Sequence, residues 1–342
     1  MLHGHGDDVF RFAKRLRANF SSNVVADPVR LERLQRHLAA RLDCVANYPE
    51  PCAESLAEHI ANSENVRPEE VLVTNGACAA IHLIAQAFRQ RVSCVPTPTF
   101  SEYEDACRIH EHELRFADLE RFDDGTLPAS ELLWLCSPNN PTGHAWPAER
   151  ILSRVDAAPD CLHIVDAAYE DACTLPKLRS GDVVRRKNIL LIRSLTKRYS
   201  IPGLRLGYVV GPSRIIERLK NGLAPWTVNA LAIEAGKFLL AETADAAAPA
   251  SENREAAQRL ALALREVNRC RAELRETHFF LIRWDRPCSA ELKSWLVDKH
   301  GLLVRDASNF RGLDARFVRV ASQGPESDRW LVDGLAEWSR RA

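Results

Sequence analysis

The 342-residue sequence lacks three things that would narrow its class at once: an excess of either charge, a long apolar run, and any closely spaced cysteine pair. Lys and Arg together number 46, as do Asp and Glu, so the formal net charge is zero. Bulk charge therefore offers nothing to nucleic acid or to an anionic membrane surface. No stretch of about 18 uncharged apolar residues occurs, so no membrane-spanning helix is expected. The first twenty residues carry Asp7, Asp8, Arg11, Lys14, Arg15 and Arg17, which cannot form the apolar core of a signal peptide. The 10 cysteines are scattered and none forms C-x-x-C, which argues against a zinc site of that type. Several lie in apolar runs such as LLWLC and VSCV. They read as free buried thiols, which places the chain in the reducing cytoplasm.

What is present is an ordinary globular composition, 46% hydrophobic and 27% charged, in a chain long enough for a large domain and a smaller one. Asp27-Pro28 opens a helix with a capping side chain and a proline at its first position. Leu31, Leu34, Leu38 and Leu42 continue it at helical spacing. From residue 71, short apolar strands alternate with helices. The strands are VLVT (71–74), VSCV (92–95), LLWLC (132–136), LHIVD (162–166), ILLIR (189–193) and GYVVG (207–211), with helices expected from Ala77, Ser101 and Pro147. Strands buried on both faces and joined by helices imply a mostly parallel sheet, an α/β fold. After residue 235 the pattern becomes α+β. A long helix capped by Ser251 is expected to run to about 276, followed by FFLIRW (279–284), a helix near 289–299, LLVR (302–305), ARFVRVA (315–321) and a last helix. The expected division is 1–40 as an N-terminal segment joining the small domain, 41–235 as the large domain and 236–342 as the small one.

Ligands of such sheets bind beyond the carboxyl ends of the strands. Asn75-Gly76, Thr99-Phe100, Ser137 to Gly143, Asp166 to Tyr169 and Ser194 to Lys197 should then share one site. TNGACAAI (74–81) is a strand, a glycine and a helix start, suited to an anion. SPNNPTG (137–143) fixes amide side chains beyond a strand. Asp166 ends an apolar strand, and a buried acid needs a cation or a hydrogen bond. A lysine in apolar surroundings, Lys197, is a nucleophile toward carbonyls, and Arg205 can neutralise a phosphate. Singly, each has an ordinary structural reading: a turn, a structural ion pair, a surface lysine. Together they supply what pyridoxal 5′-phosphate needs, an anion cradle, an aromatic platform, an acid for the ring nitrogen and an amine for the aldehyde.

In the order SPNNPTG, a strand-ending aspartate, SLTK and PGLRLGY, the chain resembles the fold-type I, class I/II aminotransferase family of pyridoxal-phosphate enzymes over nearly its whole length. The resemblance implies a mostly parallel, seven-stranded type of sheet flanked by helices, plus a small α+β domain. It implies Lys197 as the Schiff-base lysine and Asp166 as partner of the pyridine nitrogen. Asn140 and Tyr169 would bond the ring oxygen, and Phe100 would stack on the ring. Gly76, Ala77, Cys78, Ser194, Thr196 and Arg205 would hold the phosphate. Tyr48, in NYPEP, matches a tyrosine that reaches a neighbouring subunit's phosphate, implying a homodimer with shared sites. Three departures stand out: Cys78 where a hydroxyl is usual, Ala79 where an acid is common, and Ala167 where glutamate is frequent.

Two phosphate-substrate branches of the family are similar to this sequence, threonine-phosphate decarboxylases of cobalamin synthesis and histidinol-phosphate aminotransferases. HGDDVF (5–10), NFSSN (19–23), PWTVNALA (225–232) and LLVRDASNFRGLDARFVRVA (302–321) resemble the first more. By that resemblance His5, Gly6 and Asn23 contact substrate, Arg305 holds its phosphate and Arg319 its carboxylate. The expected activity is decarboxylation of O-phospho-L-threonine to an aminopropanol phosphate. The alternatives are transamination of histidinol phosphate or a related amino acid, and a binding module that has lost catalysis. No nucleic acid or membrane partner is expected.

Overall fold

The computed structural model describes residues 8–12, 15–25, 27–242 and 250–341. Its strands in chain order are β1 (Ala18–Asn19), β2 (Val71–Thr74), β3 (Val92–Thr97), β4 (Glu113–Asp118), β5 (Leu132–Cys136), β6 (Leu162–Asp166), β7 (Ile189–Arg193), β8 (Gly207–Val210), β9 (Cys270–Glu273), β10 (Phe279–Trp284), β11 (Leu302–Leu303), β12 (Arg305–Asp306) and β13 (Phe317–Ala321). A seven-stranded sheet runs in the order β2-β8-β7-β6-β5-β3-β4. The pairs from β7 through β6, β5 and β3 to β4 are parallel. β8 alone runs against its neighbours β2 and β7. The sheet is thus mixed, though mostly parallel.

Every residue of β5, β6 and β7 is buried, because helices cover both faces. That is why these segments read as unbroken apolar runs. One face carries Leu133, Leu135, Val165 and Leu191; the other carries Leu132, Trp134, Ile164 and Leu190. β4 sits at the edge and carries Glu113, Arg115 and Asp118. Charge on an edge strand discourages pairing with another chain, and it also hides the strand from a search for apolar runs.

A four-stranded antiparallel sheet, β12-β13-β10-β9, forms the second body, with β1 and β11 pairing in parallel beside it. Its core holds Phe20, Phe280, Trp284, Trp295, Leu331 and Trp338. Phe20 brings the N-terminal segment into this core. The helix Ala250–Ala263 ends well short of residue 276. Arg269 takes a left-handed backbone (φ 65°), and Cys270–Glu273 turns into a strand paired with β10. The division expected at 235/236 falls inside the helix Ala230–Ala241, whose Ala232, Ala235 and Leu239 pack in the core of the large sheet. Among the described residues no helix is long and apolar enough to cross a membrane. All ten cysteines are free thiols.

The helix starts follow local chemistry. Asp27 accepts the Arg30 N–H at 2.9 Å, with Pro28 at the first helical position. Asn229 caps the helix Ala230–Ala241 by accepting the Ala232 N–H at 2.8 Å.

Candidate active site

The carboxyl ends of β2, β3, β5, β6 and β7 lie along one edge of the large sheet. Because β8 is antiparallel, it brings its first residue, Gly207, to that edge, opposite Thr74 of β2. A cavity of about 310 Å³ opens there. Its wall includes Ala77, Cys78, Phe100, Asn140, Asp166, Tyr169, Ser194, Thr196, Lys197 and Arg205 from the large sheet's loops. Asn23 enters from the N-terminal segment, and Arg305 and Arg319 from β12 and β13. Residues 282 positions apart in sequence, Asn23 and Arg305, thus share one cavity.

Lys197 lies in the single-turn helix Leu195–Arg198 that follows β7. Its Nζ faces the Tyr169 ring at 5.7 Å from the centroid. Among the described residues no carboxylate is ion-paired with it. Asp166 is buried at the end of β6 and accepts the Tyr103 hydroxyl at 2.7 Å and the Ala168 N–H at 2.9 Å. Burial pushes its carboxyl above the ordinary range, against the opposing effects of Tyr103, Ala168 and Lys197. A buried acid that faces a cavity and, among the described residues, has no ion-pair partner is a place for a cationic ring nitrogen.

The anion end is built at the start of the helix Ala77–Ala87. Gly76 has φ 81°, which a side chain rarely adopts, and a Cβ there would meet Arg205 Nη2 at 3.0 Å. Arg205 donates to the Pro202 carbonyl at 3.2 Å and lines the cavity. The helix start offers unpaired N–H groups and a positive dipole end. Burial, with the charge of Glu102, pushes the Cys78 thiol up to about 11. Cys78 therefore stays a neutral thiol and does not repel a phosphate.

The motif SPNNPTG divides its two asparagines. Asn139 is fully buried and braces the loop, accepting the Thr99 hydroxyl at 2.7 Å and donating to Pro98 O at 2.9 Å and Thr142 Oγ1 at 2.8 Å. Asn140 faces the cavity and accepts Arg319 Nη1 at 2.5 Å. Arg319 Nη2 donates to Ser21 O at 2.7 Å. Arg305 and Arg319 are direct cross-strand partners, and both are buried. Burial lowers the Arg305 pKa, with Asp306 and Asp8 partly offsetting it.

Several placements went unforeseen. Tyr103 supports Asp166 from behind, and Ser21, Ser22, Cys136 and Phe310 join the cavity wall. His278 is buried with its Nε2 3.2 Å from Asn23 O, and burial lowers it to about 4, so it is neutral and donates to that carbonyl. Asn23 in turn donates to the Tyr169 hydroxyl at 3.4 Å. Behind the cavity, Arg193 donates to Glu170 at 2.6 and 3.2 Å and to Glu64 at 2.5 Å. That pairing ties the loop after Asp166 to the turn that carries Lys197. Only the helix-start glycine hinted at the crowding nearby; the buried acids gave no local signal. Gly76 lies behind the wall, against Arg205. Tyr48 is outside this cavity, 85% exposed, with its ring tilted 38° against Trp226 at a centroid distance of 5.2 Å. His5 and Gly6 lie outside the described residues.

A threonine-phosphate decarboxylase from Salmonella typhimurium is 31% identical over 337 residues, 93% of this chain and 90% of the relative. A crystal structure of L-threonine-O-3-phosphate decarboxylase from Porphyromonas gingivalis superposes with a TM-score of 0.91 at 37% identity, covering 94% of this chain and 99% of that one. A histidinol-phosphate aminotransferase from Caldanaerobacter subterraneus is 28% identical, over 85% of this chain and 84% of the relative. The family model "Aminotransferase class I and II" matches residues 19–329. The chain belongs to this family, whose enzymes use pyridoxal 5′-phosphate.

Proposed function

We propose that this protein is a pyridoxal 5′-phosphate-dependent decarboxylase that converts O-phospho-L-threonine to an aminopropanol phosphate and CO₂. The observation that carries the reading is the Arg305–Arg319 pair. Two like charges directly opposed across neighbouring strands disfavour each other, and burial adds to the cost. A substrate with two anionic groups, a phosphate and a carboxylate, offsets both. Two relatives that are threonine-phosphate decarboxylases by name support the choice.

The bound cofactor supplies an electron sink for the bond broken at the substrate's Cα. Asp166 would face the ring nitrogen and hold its proton, and the Tyr103 hydroxyl donates to Asp166 at 2.7 Å. Phe100 would stack on the ring, while Asn140 and Tyr169 would bond its oxygen. The backbone at Ala77 and Cys78, with Ser194, Thr196 and Arg205, would hold the phosphate, and Gly76 behind them gives Arg205 its room. Lys197 is the amine that would hold the cofactor's aldehyde, and it would move a proton at the substrate's Cα. Arg319 grips the substrate carboxylate and Arg305 its phosphate. Which Cα bond is aligned for cleavage depends on that grip. Asp8, ion-paired with Lys293 at 2.9 Å, acts on the charge of Arg305; His5 and Gly6 are proposed as substrate contacts on the sequence resemblance alone. The exposed Tyr48–Trp226 pair suits contact with a second copy, with Tyr48 reaching the neighbour's cofactor phosphate. The histidinol-phosphate aminotransferase relative favours transamination as the second reading.

The test compares O-phospho-L-threonine with L-threonine on cofactor-loaded wild type and Arg305→Ala. Loss of a charge-assisted contact should raise KM for the phosphorylated substrate about 10- to 100-fold. Equal loss for L-threonine would remove Arg305 from the phosphate role.

A further inference from the structure

Arg311 lies in the loop between β12 and β13, and Glu104 in the helix Glu102–Ile109 beside the large sheet. Arg311 Nε donates to Glu104 Oε2 at 2.7 Å, and Nη2 to Oε1 at 2.6 Å. The guanidinium also covers the Phe116 ring, 4.1 Å from its centroid. Glu104 is buried, whereas the Arg311 side chain is 43% exposed. Forked pairing of this kind fixes orientation as well as distance.

The place of the pair gives it meaning. Arg311 directly follows Phe310, and Glu104 directly follows Tyr103; Phe310 and Tyr103 both line the cavity. The same loop follows β12, whose Arg305 donates through Nη2 to Asn309 Oδ1 at 2.8 Å and has its guanidinium 5.0 Å from the Phe310 ring centroid. The pair therefore spans from the Arg305 side of the cavity to the Phe100–Tyr103 side.

We propose that the Arg311–Glu104 pair is a positioning clamp that sets the Arg305 end of the cavity and with it the preference for phosphorylated over unphosphorylated amino acids. The substrate part rests on Arg305 as the phosphate contact. Glu104 keeps Arg108, which donates to Oε1 at 2.9 Å, so Arg311→Ala does not strand a buried carboxylate and should fold.

The test uses cofactor-loaded wild type, Arg311→Ala and Arg311→Lys. The amides of Ala307, Phe310 and Leu313 are bonded at 3.0, 3.2 and 2.9 Å, so they report loop opening by hydrogen exchange. In Arg311→Ala they should exchange about tenfold faster, with the turn at Lys197 and the cofactor absorbance unchanged. KM for O-phospho-L-threonine should rise about tenfold with kcat within about twofold, and Arg311→Lys should recover part of the loss. Unchanged loop exchange overturns the clamp, as does a loosened loop with unaltered KM. If wild type does not turn over O-phospho-L-threonine, the substrate reading falls, and exchange alone then decides: faster exchange supports the clamp, unchanged exchange overturns it.

Discussion

Replacing Gly207 with alanine should damage cofactor binding although Gly207 makes no contact through a side chain. A Cβ there would lie 2.8 Å from Ala77 N, 2.9 Å from Arg193 O and 3.0 Å from Gly76 C, where ordinary contact begins at 3.4 Å. All three are backbone atoms, so no flexible side chain can yield. β8 or the start of the helix Ala77–Ala87 must move by several tenths of an ångström. Overpacking of this sort costs about 1–3 kcal/mol of stability. The same shift misaligns the N–H groups proposed to hold the cofactor phosphate, and one lost charge-assisted bond is about 10- to 100-fold in affinity. Gly203, four residues earlier in the loop that leads into β8, is the control, since a Cβ there meets nothing within 4 Å. Cofactor dissociation followed by absorbance, with thermal unfolding alongside, should separate the two variants. If Gly207→Ala binds cofactor within about twofold of Gly203→Ala and wild type, the close approach of β8 is not what shapes the cradle.

Lys197→Ala should retain cofactor without a covalent bond and lose turnover by at least the roughly 10²–10⁴-fold expected for removing a proton-transfer group; intact-protein mass and single-turnover assays check this. Asp166 gives a pH signature in the cofactor-free protein. Its folded pKa is raised by burial, so the folded state holds a proton that the unfolded chain releases. Stability from this group therefore falls as pH rises from the ordinary carboxylate range through the raised value, and the cost is fully present above it. Cofactor-free Asp166→Asn should then melt above cofactor-free wild type at neutral pH, with the gap closing toward acid pH, while binding cofactor more weakly. A gap independent of pH would mean that the Asp166 charge is not the source.

That Lys197, Asp166 and Asn140 would meet in one cavity was readable in the sequence. Asp166 ends an apolar strand and Lys197 and Asn140 lie just beyond others, so one rule about sheet edges gathers them. The supporting residues were not readable, because three-dimensional packing alone selects them. Tyr103 is an ordinary helix residue until the fold sets its hydroxyl 2.7 Å from Asp166. Adjacent asparagines in one motif look equivalent, yet Asn139 turns into the loop and Asn140 into the cavity. The segment LALALREVNRCRAELRE is rich in helix formers, and propensity alone extends the helix through it. Pairing of Cys270–Glu273 with β10 overrides that preference. The reversed direction of β8 was likewise hidden, since GYVV has the same apolar character as its parallel neighbours.

The most direct test of the central claim is a product assay on cofactor-loaded protein given O-phospho-L-threonine, with and without a 2-oxoacid acceptor. The account predicts release of CO₂ and aminopropanol phosphate at the same rate in both. Absence of CO₂, together with acceptor-dependent consumption of histidinol phosphate in a parallel sample, would contradict it and make the protein an aminotransferase.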